Sequence, residues 1–331
     1  MKNRPGEQRA PHRGEARSLG PVPLVIAELA RNDETAVFLA ALEGPSGLQK
    51  PCVVRRLRAA RAQDKNLRHR LLGAAALGAR LSHPNVVETY ASGEAGGLPY
   101  LAVEYVCGAS VADMIRAGVV LGMPIPIGAC LRIACDALYG LHYLHTCADF
   151  DGAPLRLVHR LLSASKIVVG FDGRARISDL RGAVALGNAD GVRVDVVVGK
   201  QGYLAPEQLT RGRVDARTDI YALAVVLWEM LTGERAAQQA APGNAQVSPL
   251  PAPSRLSTQV DRTLDAILAK AMATDASQRY SSALDLAWAL EQYALMVRID
   301  THRDVVEDIL VGFFADARER VRARMRTDST G

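Results

Sequence analysis

Cysteine and histidine are the side chains whose types could do chemistry without help from a motif. Cys52, Cys107, Cys130, Cys135 and Cys147 are odd in number and show no Cys-x-x-Cys spacing, and no histidine cluster accompanies them. They read as reduced thiols packed in a core, not as zinc ligands or a redox pair. His142 and His145 stand three apart in an apolar stretch. That spacing puts two imidazoles on one helix face, where packing and hydrogen bonding are the more ordinary roles than metal ligation. No metal site is expected from either set.

Several charged strings follow one another in a fixed order: Leu81-Ser82-His83-Pro84-Asn85, Leu157-Val158-His159-Arg160, Asp179-Leu180-Arg181, Gly199 to Glu207 ending in Ala205-Pro206-Glu207, Asp219-Ile220-Tyr221-Ala222-Leu223, and Asp275 to Tyr280. Each string alone is weak. In order, over roughly residues 22–297, they resemble the landmarks of the bacterial Hanks-type serine/threonine protein kinases. The resemblance implies an α+β, bilobal protein-kinase-like fold with a small β-rich N-lobe and a larger helical C-lobe. Fold alone does not carry catalysis, so each position has to be read for its own chemistry.

Phosphoryl transfer in that family needs a glycine-rich cradle over the phosphates, a lysine on them, metal ligands, and a base near the acceptor hydroxyl. Counting back from Val37, the glycine positions hold Ala30, Asn32 and Thr35, and Asp33 and Glu34 add negative charge there. The lysine position holds Arg55, whose planar fork is not a compact ammonium. Ala74 stands where the lysine's glutamate partner is expected. Leu161 occupies the position of the catalytic aspartate and cannot accept a proton. Lys166 occupies the position of the metal-binding asparagine and, when charged, has no lone pair to offer a cation. Asp179 alone keeps its metal-ligand type, and Lys166 is expected to pair with it in the cation's place. Val37, Val53, Arg55, Val103, Glu104, Val106, Val168 and Asp179 would line a vestigial nucleotide pocket.

The resemblance implies a different treatment for the residues that hold the fold. Glu207 and Arg279 would form a buried ion pair, and Asp219 would hold the catalytic-loop backbone. These types are all present. Between Gly182 and Gly199 there is no Ser, Thr or Tyr, so activation by phosphorylation there is not expected. The reading is a pseudokinase, not an enzyme, acting as a scaffold or allosteric partner in bacterial signalling. Its partner would be a protein, an active kinase or its substrate. No cofactor is expected, with ATP binding ranked below an empty pocket. The alternatives are a nucleotide sensor without phosphotransfer, or a weak serine/threonine protein kinase.

The elements that must position these residues follow from pattern. Residues 1–21 read as a disordered basic arm, 22–105 as the N-lobe, 106–297 as the C-lobe and 298–331 as an amphipathic helix. Val22–Leu42 alternates as paired strands around an Asn32-Asp33 turn, and Cys52–Leu57 continues the sheet. Ala62–Leu81 reads as a helix, Val86–Tyr90 and Tyr100–Val106 as strands about a turn at Ser92–Gly97. Ala129–His145 reads as a buried helix, and Ile167–Val169 with Ala175–Ile177 as a hairpin. Asp219–Thr232 is apolar all round and ends at Gly233 as a C-cap. Ala236–Ser257 reads as a loop, and Val260–Ala273 and Ser281–Met296 as closing helices. The last segment, Asp300–Arg326, is acidic early and arginine-rich late, which suits the helix dipole. Two uses stay open for it, packing on the large lobe or docking a partner.

Composition agrees with one two-lobed domain: 331 residues, 49% hydrophobic, 23% charged, net charge +5. That charge is mild, with much of the excess in the two tails, and without a clustered stripe carrying aromatics nucleic acid is not an expected partner. The apolar run Ile220–Leu231 is too short to span a bilayer, and the arm has no apolar leader core, so no transmembrane segment and a cytoplasmic location are expected.

Overall fold

The computed structural model describes residues 23–44, 47–149, 151–185, 201–210, 212–239 and 250–327. The basic arm, residues 186–200 after Asp179, and 240–249 of the Ala/Pro/Gln loop lie outside the described residues. The chain divides into two compact units, residues 1–72 with 90–103, and residues 73–89 with 104–331.

The first unit is built on strands β1 (Leu24–Arg31), β2 (Thr35–Glu43), β3 (Gln49–Leu57), β4 (Thr89–Ala95) and β5 (Leu98–Glu104), in the order β1-β2-β3-β5-β4. Alternation explains its core. Cys52 and Val54 on β3 are buried with Phe38, Ala40, Tyr100 and Ala102, while Val53 and Arg55 face the other way and stay half-exposed. The β4–β5 turn is Gly96-Gly97, both at positive φ, so Ser92–Ala95 belongs to a strand where a turn was expected. Helix α1 (Lys65–Gly78) starts later than the expected Ala62 because Asp64 caps it, accepting from the N–H groups of Asn66 and Leu67 at 3.1 Å.

The second unit is mostly helical. Its small sheet joins β6 (Gly108–Ser110), β8 (Ile167–Gly170) and β9 (Ala175–Ile177), and β7 (Leu157–Val158) pairs with β10 (Val184–Ala185). Val86 makes only an isolated bridge to Ile177 where a strand was expected. Helices α2 (Val111–Leu121), α3 (Ile127–Thr146), α4 (Pro206–Leu209), α5 (Ala216–Thr232), α6 (Ala236–Gln239), α7 (Arg262–Ala271), α8 (Ala283–Val297) and α9 (Arg303–Thr327) complete it. Helix α5 is the buried axis: Ile220 to Leu231 are all buried, Asp215 caps its start and Gly233, at φ 74°, ends it. Trp228 is fully buried, with its indole N–H donating to the Pro251 carbonyl at 2.8 Å.

The final segment packs on this unit. Val306 and Leu310 of α9 are completely buried in the large core. Three glycines form its seat. A β-carbon at Gly128 would meet the Asp300 carbonyl at 2.0 Å, one at Gly173 the Arg303 carbonyl at 2.7 Å, and one at Gly118 would touch the Phe313 ring at 3.7 Å. Of the two uses open for the segment, its first turns are therefore committed to packing. The helix is not continuous, because Phe314 leaves helical geometry at φ −135°, ψ 23°. Among the described residues, no helix is long and apolar enough to cross a membrane.

Candidate functional site

In the first unit, the segment expected at the phosphate cradle is a closed turn. The Asn32 side-chain oxygen accepts from the backbone N–H of Thr35 at 2.7 Å and of Glu34 at 3.0 Å, and the Asn32 N–H donates to the Thr35 carbonyl. This is an Asx turn, and it uses N–H groups that a glycine loop would leave for a ligand. The charge expected there is partly compensated, since Arg70 approaches Glu34 at 3.5 Å. Val37 pairs in register with Arg55, and Val53 lies two residues before Arg55, so all three share the half-exposed face of the sheet. Arg55 Nη1 donates to the Thr35 hydroxyl at 3.4 Å, which ties the lysine-position cation to the turn. Val103, at the end of β5, is half-buried.

In the second unit, Asp219 organises the loop after β7. Its carboxylate accepts the backbone N–H groups of His159 and Arg160 at 2.8 Å each, and His145 Nε2 approaches it at 2.9 Å. His145 is thus a hydrogen-bonding group, as its spacing suggested. His159 Nε2 donates to the Ser178 carbonyl at 3.1 Å, and burial lowers its pKa from the ordinary imidazole value. Arg160 adopts φ 66°, a left-handed conformation that turns the chain toward Leu161. Leu161 rests on the segment after Asp179: a β-carbon at Gly182 would lie 2.7 Å from its side chain. The loop is therefore closed at this point by an apolar contact.

Lys166 and Asp179 meet because β8 and β9 form a hairpin. Ile167 pairs with Ile177, and the Lys166 carbonyl accepts from the Ser178 N–H at 2.8 Å, so residues 166 and 179 face each other at its open end. The Lys166 ammonium contacts the Asp179 carboxylate. A second cation, not anticipated from the sequence, completes the group. Asp179 has φ 67°, which folds the chain back so that Arg181 Nε reaches Oδ1 at 2.5 Å and Nη2 reaches Oδ2 at 2.8 Å. Both carboxylate oxygens hold charged donors. These residues do not fit a divalent metal, which needs oxygen ligands with free lone pairs. Among the described residues no group of three His, Cys, Asp or Glu side chains could hold one either.

The other pocket positions of this unit lie around Arg176. Its guanidinium contacts Glu104 at 3.4 Å and Asp172 at 2.7 Å, and Val168 is its register partner across β8–β9. Glu104, Val106 and Arg176 line a cavity of about 400 Å³ together with Tyr105, Cys107 and Phe171. Burial, with Cys107 beside it, pushes the Tyr105 hydroxyl up to about 12.

The stabilising pair behind the site is formed as the resemblance implied. Arg279 meets both oxygens of Glu207 at 2.8 Å, and the Thr218 hydroxyl donates to the same carboxylate at 2.7 Å. Burial pushes the Glu207 carboxyl up, but Arg279, the backbone and Thr218 together hold it below its ordinary range. Burial also raises the Glu229 carboxyl, which accepts from the Tyr203 hydroxyl at 2.6 Å and the Ala236 N–H at 2.9 Å.

Residues 47–289 match the family described as protein kinase domain. The chain is 33% identical over 315 residues to the tyrosine-protein kinase MasK of Myxococcus xanthus, covering 94% of this chain and 49% of that protein. It is 31% identical over 249 residues to the serine/threonine-protein kinase PknB of Mycobacterium leprae, covering 72% of this chain and 38% of that protein. The chain thus spans about half the length, or less, of these curated relatives. The kinase domain of Mycobacterium tuberculosis PknI has the same fold, with a TM-score of 0.60 at 25% identity, covering 84% of this chain and 99% of that structure.

These likenesses overturn the expectation that the chain is not an enzyme, since the relatives at 31–33% identity are named protein kinases and the fold is a kinase fold. The physical reason is that losses at the chemistry positions slow phosphoryl transfer while the fold that positions the reactants is kept. A missing base costs a factor of ~10²–10⁴, and most of phosphoryl transfer is positioning and electrostatics. The ordered motifs, the Asp219-held loop and the match over residues 47–289 converge on one assignment: the chain belongs to the bacterial Hanks-type Ser/Thr/Tyr protein kinase family.

Proposed function

We propose that this chain is a weak protein kinase, transferring the γ-phosphoryl group of ATP to a hydroxyl on a protein in bacterial signalling. The observation that carries the reading is the loop held by Asp219, which fixes the backbone of His159 and Arg160 and so the position of residue 161. The acceptor oxygen attacks the γ-phosphorus, the bond from that phosphorus to the bridging oxygen breaks, ADP leaves, and the hydroxyl proton passes to water. With Leu161 at the position of the base, that proton has no side chain to receive it. Transfer is then slower by about 10²–10⁴-fold than with a carboxylate there.

A second role, allosteric contact with a protein partner alongside slow transfer, is favoured by one patch. Trp288, Leu295 and Met296 of α8 are 61%, 71% and 68% exposed, and large apolar side chains gathered on one helix suit a protein surface. An active kinase or its substrate is the partner class this role calls for.

The test is incorporation of label from γ-labelled ATP into the chain itself or a mixed protein substrate. Slow incorporation, suppressed by a non-hydrolysable ATP analogue, supports the reading. No incorporation over long incubation at high enzyme concentration contradicts it.

A further inference from the structure

Resting on the reading of the α8 patch as a protein surface, we propose that its partner is a second copy of this chain, the two α8 helices packing antiparallel about a two-fold axis beside Gln292. The argument begins with the face that the fold leaves open. Helix α8 buries Ala283, Leu286, Leu290, Tyr293 and Ala294, and leaves Asp285, Trp288, Gln292, Leu295 and Met296 exposed. At 3.6 residues per turn these five lie within about 100° of one another, a single stripe down the helix.

The order along that stripe selects the partner. Asp285 stands at its N-terminal end and Arg298, the left-handed C-cap, at the other, about 20 Å away at 1.5 Å per residue. The midpoint between these two charges falls between residues 291 and 292, and so does the midpoint between Trp288 and Leu295. A two-fold axis there sets Asp285 of each copy against Arg298 of the other, and Trp288 of each against Leu295 of the other, with Met296 beside it. An isologous contact requires a patch that complements itself, and this stripe meets that requirement. A parallel pairing would set Asp285 on Asp285 and Arg298 on Arg298, which repel.

The neighbouring charges leave this pairing clear. The Ser282 N–H donates to Asp285 Oδ2 at 3.0 Å, which fixes that carboxylate at the start of the helix. Glu291, the charge nearest the axis, is turned to α3, where the Tyr139 hydroxyl donates to it. Asp300, the acid nearest Arg298 in the chain, accepts the His302 N–H at 2.8 Å. Tryptophan and methionine at the centre are side chains that anchor protein interfaces. One helix on its copy covers less than the ~1,600 Å² of a standard interface, so the dimer is reversible.

The test is sedimentation velocity of the full chain over a concentration series, with tryptophan emission followed in parallel. Of the chain's two tryptophans Trp228 is buried and Trp288 exposed, so a blue shift on association reports Trp288. The expected result is a monomer–dimer equilibrium accompanied by that shift. Trp288→Ala should weaken association about 30-fold, the loss of an interface anchor, with Tm unchanged. Arg298→Glu and Asp285→Lys should each fail to self-associate, while an equal mixture of the two dimerises, because both charge pairs re-form only between unlike copies. Asp285→Lys also removes a cap contact, so its Tm is checked, and Trp288→Ala with Arg298→Glu carries the test without it. A monomer at every concentration overturns this inference and leaves the partner reading of the patch standing. A dimer that Trp288→Ala and Arg298→Glu leave intact also overturns it and places the contact elsewhere. A dimer lost in Trp288→Ala with label transfer unchanged supports the inference and overturns the allosteric role.

Discussion

Arg181 grips Asp179 through two parallel contacts, Nε to Oδ1 at 2.5 Å and Nη2 to Oδ2 at 2.8 Å, while Lys166 reaches the same carboxylate from the end of β8. An anion with two cationic partners in a largely dry site ties its neighbourhood together whether or not a ligand is present. Removing it should be felt by the whole second unit.

Asp179→Ala leaves Lys166 and Arg181 without their carboxylate. Breaking a buried pair from one side costs roughly 3–5 kcal/mol, and a fall of that order is expected in urea denaturation. Unchanged stability would mean that the two cations are satisfied elsewhere and the triad holds nothing.

Gly182→Ala tests the contact with Leu161. A β-carbon 2.7 Å from that side chain forces a shift, and overpacking of this kind typically costs about 1–3 kcal/mol. Adding Leu161→Ala removes the obstacle, so the double variant should recover most of the loss. Additive losses in the double-mutant cycle would place the strain elsewhere.

Stability should fall with acid in two windows. His159 has a lowered pKa in the fold, so the stability it contributes is complete above the unfolded value of about 6.5 and declines as pH falls from there toward its folded value. Glu207 is also lowered, so its contribution is complete above about 4.3 and is lost as pH falls through its folded value. A pH series of Tm values on the unaltered chain and on Glu207→Gln separates the two. The variant should be less stable at neutral pH and lack the lower step; if it keeps that step, another carboxylate is responsible.

The seat of α9 makes a mechanical prediction. Leu310 is fully buried, and Leu310→Ala should cost about 2–5 kcal/mol. Gly128→Ala, whose new methyl would meet the Asp300 carbonyl, should lift the start of α9 and raise hydrogen exchange there while α5 stays protected. Equal exchange in α9 before and after would show that the glycine is not what seats it.

Much of the fold could be read from the chain, for identifiable reasons. Helix α5 is apolar on every face and ends at a glycine, so its burial and its C-cap follow directly from composition. The Glu207–Arg279 pair and the Asp219 hub were legible because ordered motifs fix which distant residues meet. Lys166 against Asp179 followed from the resemblance, which puts both at the metal position, together with their opposite charges. Arg181 did not, because its grip depends on a left-handed backbone at Asp179 that no spacing announces. The turn at Asn32-Asp33 was legible, but the bonds that the Asn32 side-chain oxygen makes within it were not. Absent glycines suggested only that a cradle was missing, while the Asn32 oxygen decides where the freed N–H groups go. The seat of α9 was hidden for another reason: Gly118, Gly128 and Gly173 lie far in sequence from the 300–313 segment that they face in the fold.

Leu161→Asp tests the central claim most directly, with transfer of label from γ-labelled ATP followed for the unaltered chain and the variant side by side. The account predicts slow but measurable transfer by the unaltered chain and faster transfer by the variant, by up to about 10²–10⁴-fold, because a carboxylate then stands where the hydroxyl proton leaves. Equal rates in the two would contradict the role given to residue 161. No transfer by either, with ATP bound, would contradict the kinase reading itself.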